Sequence, residues 1–274
     1  MTSPIAHESA PRLACFETTA PAPHDRVRIF CFPYAGGSWY IYRDWRRVLS
    51  AVGDVYPIQM PGRGMRFAEP LPTSAVTLAE SLARDLAPFF DRPVVLFGHS
   101  MGALIAFELA RALQAARLPE PSHLIVAGRQ APQFPRHSPP IQHLGDAEFL
   151  NAVVALGGAS DHLTQDPDAM RMWLPILRAD IRLVEDYQYQ GSRLLSCPIT
   201  ALGGQEDLDV TRESLDAWRA VTTGRCTTVM VPGDHFFLTS VPAPVYQVVS
   251  AAIRQIQHRS ASAGGAATGM SRGA

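Results

Sequence analysis

The chain has 274 residues, a formal net charge of −1 and a charged fraction of 18%. Its length and its hydrophobic fraction of 47% are typical of one large domain with a core of its own. Because neither sign of charge dominates, the composition does not indicate a polyanionic partner such as nucleic acid. The segment from Met1 to Ala10 lacks a basic start and an apolar stretch, and no apolar run approaches the roughly 20 residues of a membrane span. We therefore expect a cytoplasmic protein that binds neither nucleic acid nor a membrane.

Short apolar runs alternate along the chain with longer helical patterns. Most of these runs are nearly continuous, as in strands that are buried on both faces of a parallel sheet. The predicted strands are Arg26 to Phe32, Val55 to Met60, Pro93 to Phe97, His123 to Ala127, Pro198 to Leu202 and Thr227 to Val231, with an antiparallel edge strand at Leu13 to Thr18. The predicted helices are Tyr42 to Ser50, Val76 to Phe90, Met101 to Ala116, Arg212 to Val221 and Val245 to Gln257. This alternation predicts an α/β fold with a mostly parallel, doubly wound sheet of about seven strands.

One region, residues 131–193, contains no convincing strand. After a proline-rich loop it shows two or three amphipathic helices, around Asp146 to Leu156, Pro167 to Leu177 and Ile181 to Tyr189. We interpret it as a helical lid over the carboxyl edge of the sheet, where open α/β sheets bind ligands. A purely structural helical excursion is the alternative. The core is then formed by residues 1–130 and 194–259, and the small-residue segment 260–274 is predicted to be a disordered tail.

The motif Gly98-His99-Ser100-Met101-Gly102 is a G-x-S-x-G pattern. It directly follows the predicted strand P-V-V-L-F and directly precedes a predicted helix, which is the strand–turn–helix setting of a nucleophile elbow. In such a turn the serine is held in a strained backbone conformation, and the helix N-terminus directs N–H groups and the positive end of its dipole toward a developing oxyanion. Ser100 is therefore the predicted nucleophile. The alternative is a glycine-rich turn with an N-cap serine.

A serine hydroxyl needs a general base. Where this elbow occurs, the chain order is Ser, then Asp or Glu, then His. Of the nine histidines, only His235 and His258 follow the later predicted strands. His258 lies at the end of the last predicted helix, whereas His235 lies in the loop after the strand T-T-V-M-V. We predict that His235 is the base.

The acid is expected between the nucleophile and the base, in the turn after the strand Pro198 to Leu202. Asp207 in the segment G-G-Q-E-D is the predicted acid. It would fix the imidazole tautomer and stabilise the imidazolium. Glu206 and Asp209 remain open as rivals, because spacing alone does not separate the three carboxylates.

An oxyanion hole needs two donors, and the N–H of the residue after the nucleophile, Met101, is one of them. The second comes from the loop after an earlier strand, here Phe32 to Ser38. Ala35 N–H is the first candidate and Tyr34 N–H the next, with an ordinary loop as the alternative. The histidines do not cluster with carboxylates or thiols at ligand spacing, so no metal is predicted. The glycines do not match a phosphate-binding loop, and no cofactor is expected.

Together the motifs resemble the stand-alone type II thioesterases of polyketide and nonribosomal peptide synthesis. The matching landmarks, in chain order, are F-P-Y-A-G-G (Phe32 to Gly37), Q-M-P-G-R-G (Gln59 to Gly64), G-H-S-M-G (Gly98 to Gly102), G-R-Q-A-P (Gly128 to Pro132), L-R-A-D (Leu177 to Asp180), Y-Q-Y (Tyr187 to Tyr189), C-P-I-T-A-L-G-G (Cys197 to Gly204) and P-G-D-H-F-F (Pro232 to Phe237). Two departures are Tyr34, where many relatives have histidine or another residue, and Asp234, where glycine is common.

This resemblance implies an α/β-hydrolase fold and the hydrolysis of acyl groups from the phosphopantetheine arm of acyl or peptidyl carrier proteins, which clears stalled synthases. It implies Ser100, Asp207 and His235 as the catalytic triad and the amides of Ala35 and Met101 as oxyanion donors. It also makes the helical insertion a mobile lid beside the acyl pocket. Two alternatives remain. One is a carboxylesterase or product-releasing thioesterase with the same triad, and the other is a non-catalytic binding protein on a hydrolase scaffold.

Overall fold

The computed structural model describes residues 26–136, 138–155, 166–191 and 193–269, with the backbone alone for 260–269. Within these ranges, six strands form one sheet. They are β1 (Val27–Phe32), β2 (Gly53–Pro57), β3 (Val94–His99), β4 (His123–Ala127), β5 (Ile199–Gly204) and β6 (Cys226–Val231). All neighbouring strands pair in parallel, in the order β2-β1-β3-β4-β5-β6. The predicted parallel α/β sheet is confirmed, and the predicted edge strand Leu13 to Thr18 lies outside the described residues.

Strand β2 begins and ends earlier than predicted. It spans Gly53–Pro57 rather than Val55 to Met60. The prediction extended too far because Ile58 and Met60 are as deeply buried as strand residues, at 0% and 1% exposed. They belong to the loop after the strand, which begins where Ile58 N–H donates to Cys31 C=O.

The helices are α1 (Trp45–Val48), α2 (Ala75–Leu86), α3 (Met101–Ala115), α4 (Asp146–Ala155), α5 (Pro167–Glu185), α6 (Arg212–Asp216), α7 (Phe237–Ser240) and α8 (Pro242–Gly269). Short 3-10 helices occur at Trp39–Tyr42, Gly64–Arg66, Ala87–Phe89 and Ala217–Val221. None of the helices in the described ranges has the length and hydropathy needed to cross a membrane.

Helices cover both faces of the sheet, and β1 shows how its sequence produces this. Successive side chains of a strand point to opposite faces. Phe30 and Phe32 join the apolar cluster under α2, α3 and α6, whereas Ile29 and Cys31 join the cluster under α1, α7 and α8. Both faces of the strand are therefore buried, which explains its continuous apolar sequence.

The sheet has its topological switch point between β1 and β3. The chain leaves β1 for the edge strand β2 and then returns to the other side of β1 as β3. Loops after strands on either side of such a point form a crevice at the carboxyl edge, where open α/β sheets bind ligands. The loop Phe32 to Ser38 and the turn at Ser100 follow these two strands.

The insertion between β4 and β5 contains α4 and α5. Helix α5 is continuous from Pro167 to Glu185, so the two helices predicted at Pro167 to Leu177 and Ile181 to Tyr189 are wrong. Pro175 lies inside the helix, where proline removes a backbone hydrogen bond. Burial of Leu177 and Leu183 at 2% exposed favours continuation of the helix past it.

The C-terminal helix also departs from its prediction. Helix α8 runs to Gly269, so it includes the first part of the segment 260–274 that we predicted to be a disordered tail. Alanine, frequent in this segment, has the highest helix propensity, which favours continuation of the helix. Residues 270–274 lie outside the described part of the chain.

Candidate active site

The backbone at Ser100 has the conformation of a nucleophile elbow. Its φ of 53° and ψ of −111° lie in a region that residues with a side chain rarely adopt. The turn is fixed on both sides, because Ser100 N–H donates to Ala127 C=O at 2.8 Å and Ser100 C=O accepts from Ala103 N–H at 3.0 Å. The strain is thus maintained by β4 and α3, and Ser100 stays partly exposed at the carboxyl edge of the sheet.

Two glycines make this turn possible. A Cβ on Gly98 would lie 2.1 Å from Gly102 O, and a Cβ on Gly102 would lie 2.1 Å from Phe32 O. Both obstacles are backbone atoms, which cannot rotate away. The contact with Phe32 also places the start of α3 against the end of β1. A second G-x-S-x-G pattern occurs in the sequence at Gly269 to Gly273, but the small-residue segment before it is not a predicted strand.

Asp207 and His235 are hydrogen-bonded to each other. His235 Nδ1 lies 2.7 Å from Asp207 Oδ2, and the aspartate side chain is 2% exposed. Asp207 Oδ1 accepts two further bonds, from the N–H groups of Asp209 and Val210 at 3.0 and 3.1 Å. Burial raises the pKa of Asp207, but the hydrogen bond and charge of His235, together with these amides, leave the pKa below its ordinary value. Asp207 therefore remains an anion that can orient the imidazole.

The rival residues have other environments. Glu206 is exposed, and Asp209 accepts a hydrogen bond from the Ser138 hydroxyl. His258 is exposed on α8. Of the three carboxylates left open by the sequence, the structure brings Asp207 to His235, and its catalytic role stays a prediction.

Ser100 and His235 both lie around the end of β4. The serine is bonded there through its amide to Ala127, and a Cβ on the next residue, Gly128, would lie 3.5 Å from His235 Cε1. Gly128 has a φ of +58°, so glycine is favoured on conformational grounds as well. Asp234, noted as a departure from the family pattern, accepts a bond from Phe236 N–H at 2.8 Å and so shapes the histidine loop.

Sequence reasoning missed a role for His99, the residue before Ser100. It is 0% exposed, and its ring centroid lies 5.4 Å from that of His235 and 5.7 Å from that of Tyr34. Burial, followed by the charge of His235, lowers the pKa of His99 to about 3. The ring is thus neutral at ordinary pH and does not oppose a positive charge on His235. The motif contained this residue, but only as a variable position.

The loop after β1 forms a tight turn from Tyr34 to Gly37. Gly37 N–H donates to Tyr34 C=O at 2.9 Å, and Gly36 has a φ of +73°. A positive φ at the third residue is typical of a type II turn, which favours glycine there. Ala35, the predicted oxyanion donor, is the second residue of this turn and is partly exposed. The other predicted donor, Met101, begins α3, which packs against the strand that leads into this loop.

Helix α5 and the loop after β2 bind this turn from outside. Gly36 N–H donates to Asp180 Oδ2 at 2.8 Å, and Trp173 Nε1–H donates to Gly36 C=O at 2.9 Å. Arg63 donates to Gly37 C=O at 3.0 Å and to both oxygens of Asp180 at 2.7 Å each. In the sequence, Arg63 and Asp180 were landmarks of a resemblance, without an assigned role.

The strain at Ser100 gives a testable prediction. Replacement of Ser100 by glycine should relieve a cost of roughly 1–3 kcal/mol, whereas alanine keeps it. The greater entropy of glycine in the unfolded chain opposes this gain by about 0.5–1 kcal/mol. In urea denaturation we therefore expect the free energy of unfolding of Ser100→Gly to exceed that of Ser100→Ala by about 1 kcal/mol. Ser50, exposed and without a positive φ, provides the control pair, in which glycine should give no gain over alanine. A Ser100→Gly protein less stable than Ser100→Ala would show that the turn is not strained.

Comparison with known proteins identifies the family. The model of the thioesterase domain matches residues 27–256. The protein named linear gramicidin dehydrogenase LgrE of Brevibacillus parabrevis is 41% identical over 231 residues, which cover 83% of this chain and 88% of that protein. The gramicidin S biosynthesis protein GrsT of Aneurinibacillus migulanus is 41% identical over 213 residues, which cover 78% of this chain and 83% of that protein. Although LgrE is named a dehydrogenase, this chain lacks the dinucleotide-binding motif G-x-G-x-x-G after its first strand. It has F-P-Y-A-G-G at the end of that strand instead.

Among solved structures, YbtT, a type II thioesterase from the yersiniabactin biosynthetic pathway, superimposes with a TM-score of 0.78 at 30% identity. The match covers 86% of this chain and 96% of that one. The predicted resemblance to type II thioesterases and the predicted α/β-hydrolase fold are thereby confirmed. The chain belongs to the thioesterase domain family.

Proposed function

We propose that this thioesterase removes acyl groups from the phosphopantetheine arm of acyl or peptidyl carrier proteins, by way of an ester on Ser100. The observation that carries the proposal is a serine in a strained elbow at the end of β4, where the hydrogen-bonded Asp207–His235 pair also lies. Two relatives, GrsT of gramicidin S biosynthesis and the type II thioesterase YbtT, support a carrier-bound substrate. Nonribosomal peptide and polyketide synthases hold their acyl intermediates on carrier proteins.

The first step forms the acyl-enzyme. Asp207 holds the proton on Nδ1 of His235, which leaves Nε2 free to accept the proton of the Ser100 hydroxyl. The serine oxygen attacks the thioester carbonyl, and the amides of Ala35 and Met101 stabilise the tetrahedral oxyanion. When this intermediate collapses, the carbon–sulfur bond breaks and the carrier thiol takes the proton from His235.

The second step releases the acid. A water molecule gives a proton to His235 and attacks the acyl-serine. Collapse of the second tetrahedral intermediate breaks the ester bond, and Ser100 regains the proton. Asp207 stays ionised throughout, consistent with its lowered pKa. The enzyme consumes no cofactor, because the phosphopantetheine belongs to the carrier protein.

The proposal keeps residues 131–193 as a lid over the acyl site. The bonds from α5 to the turn at Gly36 support a place for the insertion beside the reacting carbonyl. We also place the enzyme in the cytoplasm, together with its carrier proteins. The free thiols of Cys31, Cys197 and Cys226 suit a reducing compartment.

The proposal predicts a preference for carrier-bound thioesters. We expect kcat/KM to be higher for an acyl-carrier protein than for the same acyl group on coenzyme A or in a simple ester. Ser100→Ala should lower all of these rates on the order of 10³-fold or more, because it removes the nucleophile but little bulk. Higher kcat/KM for simple esters would favour a carboxylesterase. Failure of a fluorophosphonate to label wild-type Ser100 would favour a non-catalytic binding protein.

The triad makes a second prediction about its acid. Asp207→Asn should lower kcat on the order of 10³- to 10⁴-fold, because asparagine keeps the geometry but favours the wrong imidazole tautomer. The matched controls are Glu206→Gln, on an exposed side chain, and Asp209→Asn, on a carboxylate bonded to Ser138. Each control should retain kcat to within a few-fold. If Glu206→Gln proved more damaging than Asp207→Asn, the acid would have to be reassigned.

A further inference from the structure

We infer that Arg63, Trp173 and Asp180 are positioning residues for the oxyanion hole. From helix α5 and the loop after β2, they hold the turn Tyr34–Gly37 so that Ala35 N–H faces the reacting carbonyl. Through Trp173 and Asp180, helix α5 then supports the oxyanion hole as well as covering it. This inference rests on the proposed function, because it takes Ala35 as an oxyanion donor.

The Arg63–Asp180 pair is buried and doubly hydrogen-bonded. The side chains are 7% and 1% exposed, and both Asp180 oxygens accept from the guanidinium at 2.7 Å. The desolvation cost of such a pair offsets most of its attraction, so its net contribution to stability is small. What a bidentate pair supplies is geometric specificity, since two parallel bonds fix the direction of both planar groups.

The fixed groups bind the turn directly. Asp180 accepts from Gly36 N–H, Trp173 donates to Gly36 C=O, and Arg63 donates to Gly37 C=O. A tight turn has two common forms that differ by a flip of its central peptide, and the Asp180 bond to Gly36 N–H selects one of them. Both polar backbone groups of Gly36 and the Gly37 carbonyl are thus held by side chains from outside the loop, while Gly37 N–H closes the turn on Tyr34 C=O.

The packing around Gly36 leaves the turn no room to move toward the helix. A Cβ on Gly36 would lie 2.9 Å from Leu177 Cδ1 and 2.9 Å from Trp173 Nε1. A shift of α5 would therefore be transmitted to the turn and to the Ala35 amide. Displacement of a catalytic donor by about 1 Å can cost on the order of 10²-fold in rate.

Helix α5 supplies its own matched control in Glu185. The Glu185 side chain is 0% exposed and accepts from Ile141 N–H and Gln142 N–H, each at 2.9 Å, and from Arg136 at 2.9 Å. Asp180 and Glu185 are thus two buried carboxylates of one helix, each bonded to an arginine and to backbone N–H groups, one for Asp180 and two for Glu185. Asp180 binds the turn that carries Ala35, whereas Glu185 binds the loop before α4.

The test compares Asp180→Asn with Glu185→Gln in the full chain, using an activated p-nitrophenyl ester, which makes the result independent of any carrier protein. A second readout is inhibition by an alkyl trifluoromethyl ketone, whose hemiketal oxygen occupies the oxyanion hole after attack by Ser100. For Asp180→Asn we expect kcat to fall about 10- to 100-fold with KM changed less than about twofold. Affinity for the ketone should fall by the same factor as kcat/KM. Glu185→Gln should lower the melting temperature but keep kcat and ketone affinity.

Two further variants keep the inference falsifiable if Asp180→Asn does not fold. Arg63→Lys keeps the charge but loses the fork, and Trp173→Phe removes the bond to Gly36 C=O together with part of the ring that packs on Gly36. Each should lower kcat and ketone affinity together, about 3- to 10-fold. Variants that fold and behave like Glu185→Gln in both readouts would overturn the positioning role. A wild-type protein that neither hydrolyses the ester nor takes a fluorophosphonate on Ser100 would instead overturn the proposed function, and this inference with it.

Discussion

The close approach of helix α3 to the end of strand β1 is the contact on which the site depends. Gly102 lies so close to Phe32 C=O that no side chain fits between them. The turn before α3 must therefore be tight, and this places Ser100 in a conformation with positive φ. The same contact sets the first turn of α3 beside the loop that follows β1. One steric constraint thus orients Ser100, the proposed nucleophile, and brings together the two segments that supply the proposed oxyanion donors.

The charged side chains at the site are stabilised by hydrogen bonds to neighbouring groups rather than by exposure to water. Asp207 is kept ionised by His235 and by two backbone amides, and the neutral ring of His99 contacts the ring of His235. The buried pair of Arg63 and Asp180 serves the other side of the site, where it ties α5 to the turn at Gly36. Arg63 and Asp180, which are far apart in sequence, therefore fix the backbone of the turn at Gly36 and Gly37. The α5 side chains that bind this turn, Trp173 and Asp180, are therefore expected to influence catalysis even though this helix carries none of the proposed triad residues.

Much of the fold, and the neighbourhood of Asp207 and His235, could be predicted from the sequence, while the catalytic roles stay predictions and the failures have physical causes. Continuous apolar runs identified the strands of a sheet buried on both faces, but burial alone extended β2 through Ile58 and Met60. The predicted break between Leu177 and Ile181 does not occur in α5, which also continues through Pro175, where tertiary burial outweighs the lost hydrogen bond. Spacing could not choose Asp207 over its neighbours, because the choice depends on the loop bringing one carboxylate to His235. The environment of His99 depends on contacts between several loops, which a single sequence does not reveal.

The most direct measurement is the chemical capture of the intermediate in a single turnover. Wild-type enzyme is mixed with an acyl-carrier protein, quenched in acid within milliseconds to seconds, digested and analysed by mass spectrometry. Hydrolysis through an acyl-serine predicts that the mass of the acyl group is added to the peptide containing Ser100, and that this species rises and then decays as free acid is formed. Turnover with no acyl adduct at any time point, or with the acyl group on another residue, would contradict it.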